Sequence, residues 1–367
     1  MSTSLTHDQS VGPESAVISI DAMGGDQGPA VVIAGVSLFA EKKPDHSFII
    51  HGPQDVLEPL IEKRPQLAGR VQLRHATDIV QMQDKPAQVL RTGKNTSMWS
   101  ALESVRSKDA QVCVSCGNTG ALMALSMIRL RKLPGVYRPA IAVLWPSRNP
   151  SGFNIMLDVG ADIRADAKDL LQYALMGVSY ARNGMEIKRP RVGLLNVGTE
   201  EHKGRDELKE AHEMIAAQAD HGQFDFCGFV EGGDIPGKTV DVIVTDGFTG
   251  NVALKTGEGT AKLIGDRLRD SFTHSLWSKL AAFVSMPVLK RFQKRIDPRR
   301  VNGGVFLGLN GTVVKSHGAA DAMGVAAAIG LAAQLAKSQI HHKIAARVAS
   351  VSSIKQDDHD NQAGTEQ

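Results

Sequence analysis

Lys203, Lys255, Lys315 and His317 stand in or just after glycine-containing turns, where they can supply positive charge or protons. Asn118, Thr119, Thr249 and Asn251 stand in turns of the same kind and offer neutral hydrogen bonds. Cations and neutral donors gathered at one place suit the handling of an anion. The pattern is fullest at Val112-Cys113-Val114-Ser115-Cys116-Gly117-Asn118-Thr119-Gly120, followed by Ala121-Leu122-Met123-Ala124-Leu125. It reads as a short buried strand, a polar elbow and a helix. The first N–H groups of such a helix lack intrahelical partners, and its dipole end is positive.

The carboxylates at these turns admit more than one reading. Asp246, between a β-branched run and Gly247, can act as a general base, orient a lysine, or cap the following helix. Asp21 and Asp26 flank Gly24 and Gly25, where the backbone can turn tightly or approach a ligand closely. A local structural role is expected for Asp21, and the role of Asp26 is open. His317, between Ser316 and Gly318, is the best placed histidine for proton handling, with a plain helix-start role as the alternative.

Along the chain the same unit of apolar run, polar elbow and helix occurs six times in all. The elbows cover residues 21–26, 115–120, 158–162, 196–204, 246–251 and 315–321. Strands are expected at 17–20, 47–51, 71–75, 112–115, 140–144, 153–157, 191–195, 224–230 and 240–244. Residues 305–307 and 312–314 resemble a final hairpin. Helices are expected at 30–40, 54–63, 97–107, 121–132, 169–182, 208–219 and 322–336, with a polar loop over 78–95 and a long helical stretch over 252–300. The βαβ rhythm implies parallel strands and right-handed crossovers. In such a sheet the carboxyl ends of the strands share one edge, where ligands bind. The six elbows are therefore expected to converge on one anion, with Asn196 among its contacts.

Bulk properties exclude several classes. A formal net charge of +3 is too small for a nucleic-acid binder driven by bulk electrostatics. No run of about 18 apolar residues spans a membrane, and the polar start does not read as a secretory signal. Three cysteines point to a reducing cytoplasm without a disulfide framework. Cys113 and Cys116 have only Cys227 as a further thiol, so a zinc or redox site is not expected. No Gly-x-x-x-x-Gly-Lys-Ser/Thr motif exists, and no Gly-x-Gly-x-x-Gly follows the first strand. Asp26 stands where a dinucleotide's pyrophosphate would need a clear approach.

A separate feature lies near the C-terminal third. At helical spacing Leu276, Trp277, Leu280, Phe283 and Val284 share one face of about 120°. After Pro287 a second apolar face is opposed by Lys290, Arg291 and Lys294. A basic amphipathic helical hairpin of this kind fits a membrane surface, packing into the core or a dimer interface, or an acidic protein partner.

With these residues in view, the chain closely resembles the bacterial phosphate acyltransferases, the acyl-carrier-protein:phosphate transacylases of phospholipid synthesis. The match rests on Asp21-Ala22-Met23-Gly24-Gly25-Asp26, Gly117-Asn118-Thr119-Gly120-Ala121-Leu122-Met123, Leu194-Leu195-Asn196-Val197-Gly198-Thr199-Glu200, Asp246-Gly247-Phe248-Thr249-Gly250-Asn251 with Leu254-Lys255, and Lys315-Ser316-His317-Gly318. The family usually has Ala where this chain has Cys116. It usually has Gly-Ala-Asn-Val-Asp where this chain has Gly160-Ala161-Asp162-Ile163-Arg164, so no role is carried onto 162 or 164.

The resemblance implies a Rossmann-like α/β/α fold with a mainly parallel sheet, similar to isopropylmalate dehydrogenases and phosphotransacetylases, plus a protruding amphipathic hairpin. One α/β domain is expected over 15–340 with the insertion at 260–300, between disordered tails at 1–14 and 348–367. The implied reaction takes acyl-acyl carrier protein and inorganic phosphate to acyl phosphate and free carrier protein, without metal or organic cofactor. Lys203, Asp246, Lys255, Lys315 and His317 are its expected catalytic residues. Gly24, Gly25, Asp26, Gly117, Asn118, Thr119, Asn196, Thr249 and Asn251 are expected at the substrate. Also implied are a homodimer, attachment to the inner face of the cell membrane, and delivery to a membrane glycerol-3-phosphate acyltransferase. An NAD-dependent 2-hydroxyacid-type oxidoreductase and a non-catalytic carrier-protein adaptor are the alternatives.

Overall fold

The six elbows fall as two sets of three, each set on three adjacent parallel strands. In the computed structural model, which describes residues 15–296, 303–338 and 340–348, the chain forms two compact units. The first comprises the chain up to Leu130 together with the stretch from Gly311. The second comprises Arg131–Asn310 and the final helical segment, residues 340–348. The expected tail at 1–14 lies outside the described residues, as does all of the expected tail at 348–367 except Val348.

The first unit is built on β1 (Val17–Asp21), β2 (Ser47–Gly52), β3 (Val71–His75), β4 (Val112–Ser115) and β11 (Thr312–Lys315), in the order β3-β2-β1-β4-β11. All four pairings are parallel. Every residue of β4 is buried, which a strand covered on both faces requires and its continuous apolar run allows. Helices α1 (Pro29–Lys42) and α10 (Ala322–Ser338) pack along each other, with Gly35 of α1 directly against Val325. Helix α4 (Ser97–Arg106) lies on β1, β2 and β4 and beside α5 (Thr119–Arg129). The register sets Asp21 opposite Ser115, and Ser115 opposite Lys315. The carboxyl ends of β1, β4 and β11 therefore finish level with one another.

The second unit contains β5 (Ala140–Pro146), β6 (Phe153–Leu157), β7 (Arg191–Leu195), β8 (Asp225–Val230), β9 (Val242–Val244) and β10 (Gly304–Leu307), in the order β10-β5-β6-β9-β7-β8. Strand β5 is antiparallel to both β10 and β6, and the remaining pairings are parallel. Helix α6 (Ala167–Gly184) opens on a capping box between Asp166 and Asp169 and lies against β6, β9 and α7 (Asp206–Gln218). Its Gly177 permits the close approach: a Cβ there would stand 2.5 Å from Val242 Cγ1.

Several boundaries differ from expectation. The loop at 78–95 contains α3 (Pro86–Thr92) and a 3₁₀ turn at Gly93–Asn95. Pro86 at the first helical position supplies a preset φ, and Val89 is the single buried anchor in an otherwise polar segment. The stretch expected as one helical region after 252 begins earlier, at the elbow itself, as α8 (Gly247–Thr273), and α9 (Leu276–Ile296) runs on through Pro287. Helix α8 docks by its first turns. Gly250 lies directly on the Asp158 carbonyl, and a Cβ at Gly257 would meet Trp145. Beyond these turns α8 and α9 stand largely in solvent.

Candidate active site

In the first unit the elbows after β1, β4 and β11 are locked together by contacts that leave no room for side chains. A Cβ on Gly24 would lie 2.5 Å from the Gly117 nitrogen, and one on Gly25 would lie 2.9 Å from Cys116 Cβ. Gly25 also has a φ of 102°, a conformation glycine adopts without penalty. These glycines are thus fixed by elbow-on-elbow packing. The Asp26 N–H donates to the Gly318 carbonyl at 2.8 Å, and the Ser316 N–H to the Ser115 carbonyl at 2.9 Å. Lys315 Nζ donates to the Cys116 carbonyl at 3.2 Å and also reaches the Ser316 carbonyl. Positive charge is therefore held at the elbow itself.

Asn118 is the N-cap of α5. Its side-chain oxygen accepts from the Ala121 N–H at 3.0 Å, and its Nδ2 donates to the carbonyls of Met82 at 2.8 Å and Asp84 at 2.9 Å. Both amide protons are engaged in holding the 82–84 loop, so the side chain has no further N–H for an anion. The helix start is the exposed part: Thr119 and Gly120 are exposed, and their N–H groups come before the first intrahelical donor, the Leu122 N–H that bonds the Asn118 carbonyl. His317 is exposed, and its Nδ1 accepts from the Ala319 N–H at 3.2 Å.

Asp21 is buried behind this turn. Ser97 Oγ donates to its Oδ1 and Ser115 Oγ to its Oδ2, both at 2.7 Å. Burial pushes the carboxyl up, against the pull of these serines and of the backbone N–H groups of Met23 and Gly24. Burial likewise raises the thiols of Cys113 and Cys116 well away from the thiolate form, which leaves Cys116 without the character of a nucleophile.

The second unit brings together the elbows after β6, β9 and β7. Asp158 folds its own elbow around its carboxylate, accepting from the N–H groups of Ile141, Gly160, Ala161 and Asp162. The Gly247 N–H donates to the Asp162 carbonyl at 2.8 Å, and Asn251 lies against Gly160. Asp246 caps α8, accepting from the Thr249 N–H at 2.8 Å and the Thr249 hydroxyl at 2.9 Å. Its cationic partner is Arg205, at 2.6 Å, and not a lysine. The capping alternative thus describes its geometry.

The lysines of this unit stand in local pairs. Lys203 bonds Glu200 at 2.8 Å, which raises the ammonium's pKa and lowers the carboxylate's. Lys255 bonds Glu258 at 2.8 Å. Asn196 donates to the Lys203 carbonyl at 3.1 Å, closing the 196–204 turn, while its buried Oδ1 has no partner among the described residues.

Sequence reasoning missed Ser97 and Arg205. Ser97 reaches Asp21 from 76 positions away, and no local pattern announces it. Arg205 directly follows the 196–204 elbow, so its place after Gly204 is the signal that was available. The side chains of Lys290, Arg291 and Lys294 lie outside those described. Among the described residues no group of three or more His, Cys, Asp or Glu side chains is placed to hold a metal.

Comparison with known proteins places the chain in a lineage. Residues 16–343 match a family model described as fatty acid synthesis protein. A phosphate acyltransferase of Cereibacter sphaeroides is 66% identical over 352 residues, covering 96% of each chain. One of Paracoccus denitrificans is 69% identical over 336 residues, covering 92% of this chain and 91% of its own. Among solved structures, the EutD phosphotransacetylase from Staphylococcus aureus superposes with a TM-score of 0.58 at 14% identity, over 89% of this chain and 96% of its own. A phosphotransacetylase from Streptococcus pyogenes gives 0.56 at 17%, over 88% and 93%. At such identities these two establish the fold, a mixed α/β architecture shared with phosphotransacetylases. The sequence relatives establish the lineage: the chain belongs to the phosphate acyltransferase family.

Proposed function

We propose that the protein transfers the acyl group of acyl-acyl carrier protein to inorganic phosphate. The observation that carries this reading is the first unit's interlocked edge. There the start of α5 and Lys315 stand at the carboxyl ends of β4 and β11, and the first residues of α5, Thr119 and Gly120, are exposed. A phosphate oxygen attacks the thioester carbonyl carbon, a tetrahedral oxyanion forms, and the C–S bond breaks. The carrier thiolate then takes up a proton. The protein's task is to orient phosphate, stabilise the oxyanion and deliver that proton.

Phosphate binding is assigned to the 117–120 elbow. Lys315 and His317 are assigned charge stabilisation and proton delivery. Within the second unit, the family resemblance assigns charge to Lys203 and Lys255 and a hydrogen bond to Asn251, and Asp246 places its own elbow. Thr249 and Asn196, whose side chains are engaged within their own turns, act by shaping them. An oxidoreductase reading is not favoured, because Gly24 and Gly25 are occupied by neighbouring elbows. The test is phosphate-dependent release of carrier thiol from palmitoyl-acyl carrier protein. Lys203→Ala with full activity would remove that residue's role.

The same reading includes attachment to a membrane surface through α9. Leu276, Trp277 and Phe283 are 83%, 78% and 75% exposed, an apolar face too large to leave in water without a purpose. No described helix is long and apolar enough to cross a bilayer. A homodimer, and delivery of the reactive acyl phosphate to a membrane glycerol-3-phosphate acyltransferase, belong to this proposal through the family resemblance.

A further inference from the structure

The 117–120 turn is held from behind by a closed circuit of hydrogen bonds. Ser115 is the last residue of β4, and its hydroxyl works in both directions: it donates to Asp21 Oδ2 at 2.7 Å and accepts from the Gly117 N–H at 3.0 Å. Asp21 Oδ1 accepts from Ser97 Oγ at 2.7 Å. Ser97 opens α4, and its N–H donates to the Asp78 carbonyl at 3.0 Å. From Asp78 the chain runs to Met82 and Asp84, whose carbonyls accept from Asn118 Nδ2. Asn118 is covalently next to Gly117, where the circuit began.

Each link has a physical consequence. Asp21, Ser97 and Ser115 are each about 1% exposed, so water cannot substitute for a lost partner. Ser115 holds the Gly117 N–H on the buried side of the turn, and the residues that follow, Thr119 and Gly120, are exposed. The circuit grips the turn at Gly117 from the sheet side and at Asn118 from the loop side. Gly117 has no side chain of its own to fix the turn, and a Cβ there would meet Met98 Cε at 2.6 Å.

We propose that Ser115 and Asp21, with Ser97 behind them, are positioning residues that set the Thr119 and Gly120 N–H groups for phosphate. They touch no substrate. They act through the Gly117 N–H, and the inference rests on the phosphate reading of this elbow. Loss of the Ser115 hydroxyl releases the turn while leaving β4, α5 and the Asn118 cap in place. The cost is therefore expected in affinity for phosphate and not in affinity for the acyl donor.

The test uses Ser115→Ala, Ser97→Ala and the hydroxyl-retaining Ser115→Thr in the full chain. KM for phosphate, KM for palmitoyl-acyl carrier protein and kcat are measured alongside melting temperature. Inorganic phosphate affinity is measured separately by calorimetry. The proposal expects S115A to raise phosphate KM about three- to tenfold, the scale of one buried hydrogen bond. It expects a smaller rise for S97A, recovery in S115T, and an unchanged KM for the acyl donor. A purely structural role would lower melting temperature and apparent kcat and leave phosphate KM and calorimetric affinity at wild-type values, which would overturn the proposal. Wild-type protein that binds phosphate but releases no thiol would defeat the acyl-transfer reading instead. Calorimetry on the variants would then decide the positioning role on its own.

Discussion

Arg205 donates through Nη2 to Asp246 Oδ2 at 2.6 Å, tying the residue after the β7 elbow to the cap of α8. The carboxylate is buried and the guanidinium is 59% exposed, so solvent screens the cation and not its partner. Because Thr249 still donates twice to Asp246, Arg205→Ala is expected to cost about 1–2 kcal/mol rather than the full penalty of an unpaired buried charge. Arg205→Lys should recover only part of this, since one ammonium cannot match the guanidinium's geometry. Urea unfolding measures both. A loss in R205A no larger than that of an exposed salt bridge would contradict the assignment.

Asn118 performs two separable tasks. Asn118→Asp keeps the oxygen that caps α5 but has no N–H for the Met82 and Asp84 carbonyls. Asn118→Ala loses both, with about 1 kcal/mol expected for the cap alone. Amide exchange across residues 81–85 should therefore rise in both variants, while only N118A should lose the stability of a missing cap. Unchanged exchange in N118D would show that the loop is held by something else.

His51 is fully buried, with Ser19 and Ser104 hydroxyls at Nε2 and the Ser100 hydroxyl at Nδ1. Burial, reinforced by nearby Arg74, pushes its pKa down to about 3. The unfolded chain takes up this proton below about pH 6.5 and the folded chain does not, so stability is present above that value and falls as pH drops toward 3. Between about pH 7 and about pH 5 wild type should lose about 2 kcal/mol more than His51→Gln. Equal losses in chemical denaturation would contradict the neutral, buried imidazole.

The apolar face of α9 predicts a surface interaction without insertion across the bilayer. Leu280→Glu combined with Phe283→Glu should abolish flotation with anionic liposomes and leave thiol release from soluble carrier protein unchanged. Undiminished flotation would remove the membrane role of this helix.

The strand–elbow–helix rhythm was legible in the sequence because buried parallel strands are short, nearly continuous apolar runs, as at Val112–Ser115 and Val242–Val244. Helix α3 was not legible, because its seven residues carry one buried side chain and no apolar period. The site residues were legible as types and less so as roles. Asn118 and Thr249 read as anion donors because both can donate; their partners at Met82, Asp84 and Asp246 are fixed by tertiary geometry. Ser97 was invisible for the same reason, since its mark is a hydroxyl at the start of α4 meeting Asp21 at the end of β1. The glycines at 24 and 25 were legible as necessary, but the neighbour that makes them necessary is another elbow.

The most direct measurement of acyl transfer mixes the purified full chain with palmitoyl-acyl carrier protein, with and without inorganic phosphate, and traps the product with hydroxylamine. The account predicts free carrier thiol and palmitoyl hydroxamate in equal amounts, both dependent on phosphate and saturating with it. Folded protein that releases no thiol on addition of phosphate, or releases it equally without phosphate, would contradict the account.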